Sequence, residues 1–292
     1  MSEPTDNKFL AGIKPFLRSL WAESSLDEPA TVYEGDSPYH HITIMDTNGI
    51  RTLYLGPKAQ EAETSISLSN PEAPIFEYPG MMFLALALAK NTNILMLGLG
   101  GGFIPNIFKK YLPAHNLTVV EIDPLVAELA EVYFGFSPGE NVRLVIKDGF
   151  DYISEIPDGG FDQIWLDAFG GRYIPENLAT AEFLEFVRRK IAIDGLLVQN
   201  LHQTASNVYD RQLWQTKELF GEIPLMLGGK TCANTVAISL NSEVSLLPKT
   251  DHEIIKAVNN FQLKVGPYDL LDQVPKMMRG SPKPPSNFLK GF

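Results

Sequence analysis

The sequence predicts an α/β protein: a doubly wound, mostly parallel Rossmann-like sheet with a small N-terminal antiparallel β domain. Three observations predict it. From Asn93 onward, short apolar runs alternate with amphipathic helical segments, the pattern of parallel strands covered by helices on both faces. The stretch NILMLGLGGGFIPNIFKKYLPAHNLTVVEID, Asn93 to Asp123, reads as strand, glycine turn, helix, strand and acid, which is one βαβ unit. Before it, from Thr31 to about Ser69, the apolar period changes to two, as in half-buried antiparallel strands.

Taken in order, residues up to about Ser25 have helix-like spacing (Phe9, Ile13, Phe16, Leu17, Leu20) and are expected to dock on the body. In the next segment Tyr39, His41 and Thr43 share one strand face, and Ile42 and Ile44 the other. Asp46-Thr47-Asn48-Gly49 then turns the chain into a second strand, Arg51 to Leu55. Pro71 and Pro74 punctuate the link to a helix from Tyr78 to Lys90, which leads into the first parallel strand. Asp123-Pro124 pairs an N-cap with proline at the first helical position and opens a helix to about Phe134. Val142 to Ile146 and Gln163 to Leu166 are the third and fourth strands. Thr180 caps a helix from Ala181 to Ile191 that Gly195 closes, and Leu196 to Leu201 is the fifth strand. A helix from Tyr209 to Phe220 precedes Pro224 to Leu227 and Thr235 to Leu240, an antiparallel pair at the sheet edge. From Gly266 the proline- and lysine-rich tail reads as a loosely held extension. The expected organisation is a helical extension (1–30), a β-hairpin domain (31–75), a nucleoside-binding Rossmann-like catalytic domain (76–245) and a C-terminal helix and tail (246–292).

Composition narrows the function classes. A formal charge of −11 argues against nucleic acid as a main partner and suits a cationic substrate. Apolar runs such as MMFLALALA are too short to span a membrane, so no membrane partner is expected. The opening MSEPTDNKFLAGIKPF lacks the features of a signal peptide. With Cys232 the lone cysteine, no internal disulfide forms, and a cytoplasmic location is expected. His40 and His41 are adjacent in a strand and point to opposite faces, which argues against a shared metal site; no metal is expected.

The chemistry concentrates at strand ends, where ligands of open α/β sheets bind. Gly98, Gly100, Gly101 and Gly102 let backbone approach a ligand at a helix start. Glu121, about twenty residues on, is placed to accept both ribose hydroxyls. Asp148, followed by Gly149 in KDGF, can accept the adenine amino group, and Asp167 in IWLDAF faces the reacting centre. No lysine-bearing phosphate loop and no second glycine fingerprint is present, so a mononucleoside fits better than a dinucleotide or triphosphate.

These motifs resemble the spermidine synthase (polyamine aminopropyltransferase) family, and more closely its diverged bacterial spermidine synthase-like members. That family has a class I S-adenosylmethionine-dependent methyltransferase fold, and the resemblance spans roughly Thr31 to Leu240. SPYHHITI resembles its YQ strand, FEYPGMM its YQEM helix start and LGLGGG its GGGDGG turn. VVEID resembles its ribose-binding turn, KDGF its adenine-binding turn and LDAFGG its DSSDP catalytic loop. The phrase IPENLATAEFLEFVR also has counterparts among the bacterial members. The resemblance implies transfer from a sulfonium nucleoside to an amine. Glu121 would bind ribose, Asp148 adenine, and Asp167 would orient or deprotonate the acceptor beside Tyr78. His40 would replace a glutamine that touches the sugar. A homodimer is expected.

The departures point to an unusual acceptor. Gly101 replaces the acid of the glycine loop, Gly170 the second acid of the catalytic loop, and Pro79 a glutamine. GGKTCANTV stands where the family has a tyrosine-proline segment covering the polyamine. Losing two carboxylates would forfeit charge-assisted hydrogen bonds of about 1.5–3 kcal/mol each to a dication such as putrescine. Gly101 also removes a charge that would repel the carboxylate of intact S-adenosylmethionine.

Other residues keep two readings. His202 is a base in the crevice or a polar strand end. Arg172 and Tyr173 touch substrate or lie in a solvated loop. Phe150 and Phe169 flank the nucleoside or pack in the core, while Cys232 reads as structural. Three function classes follow, in this order: aminopropyl transfer from decarboxylated S-adenosylmethionine to a small-molecule amine, methyl or other alkyl transfer from intact S-adenosylmethionine, and a nucleoside-binding protein without chemistry.

Overall fold

The computed structural model describes residues 29–57, 62–89, 92–168, 175–203, 206–243, 247–248 and 250–278. The expected N-terminal helix, together with Phe169, Gly170, Arg172 and Tyr173, lies outside them. Four antiparallel strands come first: β1 (Ala30–Asp36), β2 (His41–Thr47), β3 (Ile50–Leu55) and β4 (Ala62–Ser67), in spatial order 1-2-3-4. The predicted Asn48-Gly49 turn joins β2 to β3, with Thr47 opposite Ile50. β2 starts at His41, however, because Ser37–His40 is a turn closed by Ser37 N–H to the His40 carbonyl (2.8 Å).

Helix α1 (Tyr78–Phe83) follows, then β5 (Asn93–Leu97), α2 (Phe103–Tyr111), β6 (Asn116–Glu121), α3 (Pro124–Phe134), β7 (Val142–Ile146), α4 (Gly149–Glu155) and β8 (Phe161–Leu166). The chain continues with α5 (Ala181–Lys190), β9 (Ile191–His202), α6 (Ser206–Phe220), β10 (Leu225–Gly228), β11 (Asn234–Asn241) and α7 (Asp251–Asn260). The described residues end in the short strands β12 (Lys264–Val265), β13 (Tyr268–Asp269) and β14 (Met277–Met278). The large sheet has the order β14-β10-β11-β9-β8-β5-β6-β7. β7, β6, β5, β8 and β9 run parallel; β11, β10 and β14 add antiparallel to β9 and to one another. The chain winds from β5 outward to β7, then returns to place β8 on the other side of β5. That reversal opens a crevice beyond the carboxyl ends of β5 and β8.

Both sheet faces are apolar, as parallel strands require. One packs Phe83, Phe108 and Trp165 under α1 and α2; the other packs Leu95, Ile164, Phe183 and Leu184 under α4 and α5. The N-terminal sheet has no separate core. Its Ile42, Ile44 and Leu53 pack on Val126, Leu129 and Phe134 of α3. Buried Arg51 ties the two parts further, with a bidentate pair to Asp46 (both bonds 2.8 Å) and a bond to the Tyr133 carbonyl (3.2 Å).

Local expectations hold where caps and periods carry them. Asp123 accepts the Leu125 N–H and Pro124 occupies the first turn of α3; Thr180 accepts the Phe183 N–H at the start of α5. Four expectations are corrected. The α-helix from Tyr78 ends at Phe83 and continues as a 3-10 turn over Leu84–Ala87, since the run is apolar all round and core packing, not an amphipathic period, sets its course. β8 begins at Phe161. Gly195 does not close a helix: α5 passes directly into β9, and Gly195 sits inside that strand, where a Cβ would lie 2.4 Å from the Asp162 carbonyl oxygen. Finally, residues 266–278 are not a loose tail. Tyr268, Leu270 and Val274 are buried, and β14 pairs with β10 at the sheet edge. Among the described residues, no helix is long and apolar enough to cross a membrane.

Candidate active site

The crevice at the switch point is partly enclosed, with about 120 Å³ of free interior volume. The glycine turn forms its floor through Gly98 and Gly100. Gly98 has φ 98°, and a Cβ there would lie 2.2 Å from the Asp167 carbonyl oxygen, so the β5 and β8 exits meet only at glycine. Gly101 and Gly102, expected among the ligand-binding glycines, are not among the lining residues. The Gly101 N–H donates to Thr64 Oγ1 (2.9 Å), and Gly102 is the N-cap of α2.

Position 101 also has no room for an acid: a Cβ would lie 2.8 Å from Thr64 Cγ2 and 2.9 Å from Phe134 Cδ1. Gly101→Asp is therefore expected to destabilise the fold by about 1–3 kcal/mol through overpacking, read as a lower denaturant midpoint.

Glu121, at the tip of β6, is buried. Its Oε2 accepts the Leu99 N–H and its Oε1 the Asp123 N–H, each at 2.9 Å. These bonds aim the carboxylate across the turn, and burial pushes its pKa up. The next acid, Asp123, receives Ser37 Oγ–H and lies 3.1 Å from His40 Nδ1. His40 thereby clips the β1–β2 turn to Asp123 at the wall of the crevice, while His41 faces away toward Asp36 and Glu34. Asp148 caps α4 through bonds from Phe150 N–H (2.7 Å) and Asp151 N–H (3.2 Å), with Gly149 beside it in the wall.

Asp167 stands at the end of β8, open to the crevice and enclosed on its other sides. Burial raises its pKa to about 7, against hydrogen bonds from Asn200 and Tyr78 that favour the carboxylate. Asn200 Nδ2 donates to Asp167 Oδ1 at 2.8 Å, and the orientation of its amide is set by Asn234 Nδ2 donating to Asn200 Oδ1 at 3.0 Å. Burial and the neighbouring Asp167 carboxylate push the Tyr78 hydroxyl well above the usual phenol range, so it remains a donor.

The other candidates separate. Phe150 stacks on Phe183 in the core rather than lining the crevice. His202 ends β9 opposite Asn234 and is not in the lining. Cys232 is half-buried with Sγ 3.9 Å from Glu77 Oε2; burial raises its pKa. Glu77 also accepts the Lys230 and Thr231 N–H groups (both 2.8 Å) and so latches the loop before β11 onto the start of α1. Residues not anticipated from sequence are Asn200, Glu63 and Thr64. The pair Gln199-Asn200, polar at the carboxyl end of an apolar strand, was a usable signal for Asn200; β4 offered none. Among the described residues, no cluster of three or more His, Cys, Asp or Glu side chains is placed to hold a metal ion.

Residues 78–220 match the spermine/spermidine synthase domain. A polyamine aminopropyltransferase of Vibrio vulnificus (strain CMCP6) is 29% identical over 87% of this chain and 88% of its own length. The human eEF1A lysine and N-terminal methyltransferase is 31% identical over 43% of this chain and 21% of its own length. Among solved structures, spermidine synthase from Thermotoga maritima superposes with a TM-score of 0.67 at 18% identity, covering 89% of this chain and 86% of that one. This last likeness establishes the class I methyltransferase-type fold.

Proposed function

Because this chain carries the spermine/spermidine synthase domain over residues 78–220, we propose that it is a transferase moving an aminopropyl group from decarboxylated S-adenosylmethionine to an amine other than putrescine. The observation that carries the reading is the Tyr78–Asp167–Asn200 set, hydrogen-bonded together at the switch point of a crevice whose other end holds Glu121 and Asp148. In this reading Glu121 accepts the ribose hydroxyls, Asp148 accepts the adenine amino group, and the Gly98–Gly100 backbone lies along the nucleoside. The neutral amine attacks the methylene next to the sulfonium. The C–S bond breaks with its electron pair going to sulfur, methylthioadenosine leaves, and Asp167 takes the proton lost by the new ammonium. Tyr78 and Asn200 hold that carboxylate in line. Alignment of this kind is worth several kcal/mol, and proton transfer adds roughly 10²–10⁴ in rate.

Gly101 favours a second reading, transfer from intact S-adenosylmethionine, since the glycine turn carries no charge to repel a substrate carboxylate. Calorimetric titration of the two donors decides. Tighter binding of the decarboxylated form supports aminopropyl transfer; tighter binding of the intact form supports methyl or other alkyl transfer. Two further results are expected. Methylthioadenosine at about a hundredfold over its dissociation constant adds roughly 2.7 kcal/mol to stability and raises Tm, while NAD does not. Putrescine is a poor acceptor compared with a smaller or less charged amine, and brisk spermidine production would overturn that acceptor assignment.

A further inference from the structure

Strand β4 is interrupted at a single residue. Leu53 pairs with Thr64 and Tyr54 with Ala62, so Glu63 is a bulge with no residue opposite it on β3. A bulge breaks the alternation of a strand and re-aims a side chain. In a regular strand, consecutive side chains point to opposite faces; here Glu63 and Thr64 both line the crevice. The bond from Gly101 N–H to Thr64 Oγ1 seats the bulge on the glycine turn. On its other side, the Glu63 carboxylate is near enough to Tyr78 to add to the upward shift of that hydroxyl, after burial and Asp167. A residue of the N-terminal sheet thus brings a carboxylate to the crevice within electrostatic reach of Tyr78, next to the threonine that sits on the glycine turn. At position 101 itself, Thr64 and Phe134 leave no space for one.

We infer that Glu63 is a specificity residue that receives a primary alkylammonium group of a substrate through a charge-assisted hydrogen bond, a role the glycine turn cannot fill because it has no side chain there. The inference rests on the proposed aminopropyl transfer. The ammonium belongs to the donor's aminopropyl tail or to the acceptor amine. On the donor tail, the same charge would disfavour intact S-adenosylmethionine, whose carboxylate it would repel.

The test is Glu63→Gln in the full chain. It compares calorimetric Kd values for decarboxylated S-adenosylmethionine and for methylthioadenosine, which keeps the nucleoside and has no ammonium, together with KM for the acceptor amine. The expected result is a loss of roughly tenfold or more for an ammonium-bearing substrate, with methylthioadenosine unchanged and Glu63→Asp recovering part of the loss. A change in donor Kd assigns the ammonium to the donor; a change in KM alone assigns it to the acceptor. Unchanged values for both, or an equal loss for methylthioadenosine, would overturn the inference. If Glu63→Gln does not fold, the unaltered protein is titrated with the N-acetylated decarboxylated donor. Affinity equal to that of the free amine, with no preference among acceptor amines by charge, overturns it there. Failure of the unaltered protein to bind methylthioadenosine at all would instead sink the proposed reaction.

Discussion

Asp167→Asn is expected to lower turnover at least a hundredfold while leaving methylthioadenosine affinity nearly unchanged. The substitution keeps the shape of the side chain and its bond from Asn200 Nδ2, but it removes the charge that accepts a proton. A carboxylate held at about pKa 7 is matched to this work near neutral pH. The base form exists above that value, so kcat/KM of the unaltered enzyme should fall about tenfold per pH unit below it, and the residual rate of Asp167→Asn should not follow that titration. Stability moves in the opposite sense. A carboxyl whose folded pKa lies above its unfolded value stabilises the fold at low pH, and that contribution is lost as pH rises toward the folded value. The Tm of Asp167→Asn should therefore gain on that of the parent from about pH 4 to about pH 7 and level off above that. Full activity in this variant would remove Asp167 from the mechanism.

Glu121→Gln is expected to weaken methylthioadenosine binding by about 1.5–3 kcal/mol, roughly 10- to 150-fold in Kd. The fold makes this a double loss. Both carboxylate oxygens accept backbone N–H groups, from Leu99 and Asp123. An amide offers one oxygen, so one of these donors faces an NH₂ group and the turn beneath the nucleoside loosens. Tm should fall in the absence of ligand as well. Unchanged affinity by calorimetry would sink the ribose assignment.

The candidate site was legible in sequence where its chemistry is local. The glycine turn and Glu121 lie within one βαβ unit, and a strand of five or six residues must end near the acid that terminates its apolar run. Asp148 and Asp167 were placed the same way, at the tips of β7 and β8. Caps were legible too, because Asp123 and Thr180 act on donors two and three residues away. The 3-10 continuation of α1 and the start of β9 were not legible, since an apolar run or a glycine has a different meaning in the core from that on a surface. Gly195 reads locally as a helix stop and in the fold as the place where β8 passes too close for a Cβ.

Period, capping and turn chemistry act over a few residues, so the chain alone specifies the fold class, the succession of parallel strands along it and the acids at their ends. The order of those strands in the sheet, and what the acids face, come from the assembled fold. β4 reaches the glycine turn because Ile42, Ile44 and Leu53 pack on α3. Asn200 meets Asp167 because β9 lies beside β8. The edge strand β14 exists because β10 offers it an unpaired ladder. Thr64 and Phe134 close position 101, and the bulge in β4 turns Glu63 inward. Each of these depends on contacts between segments distant in the chain, and the raised pKa of Asp167 depends on all the walls that enclose it.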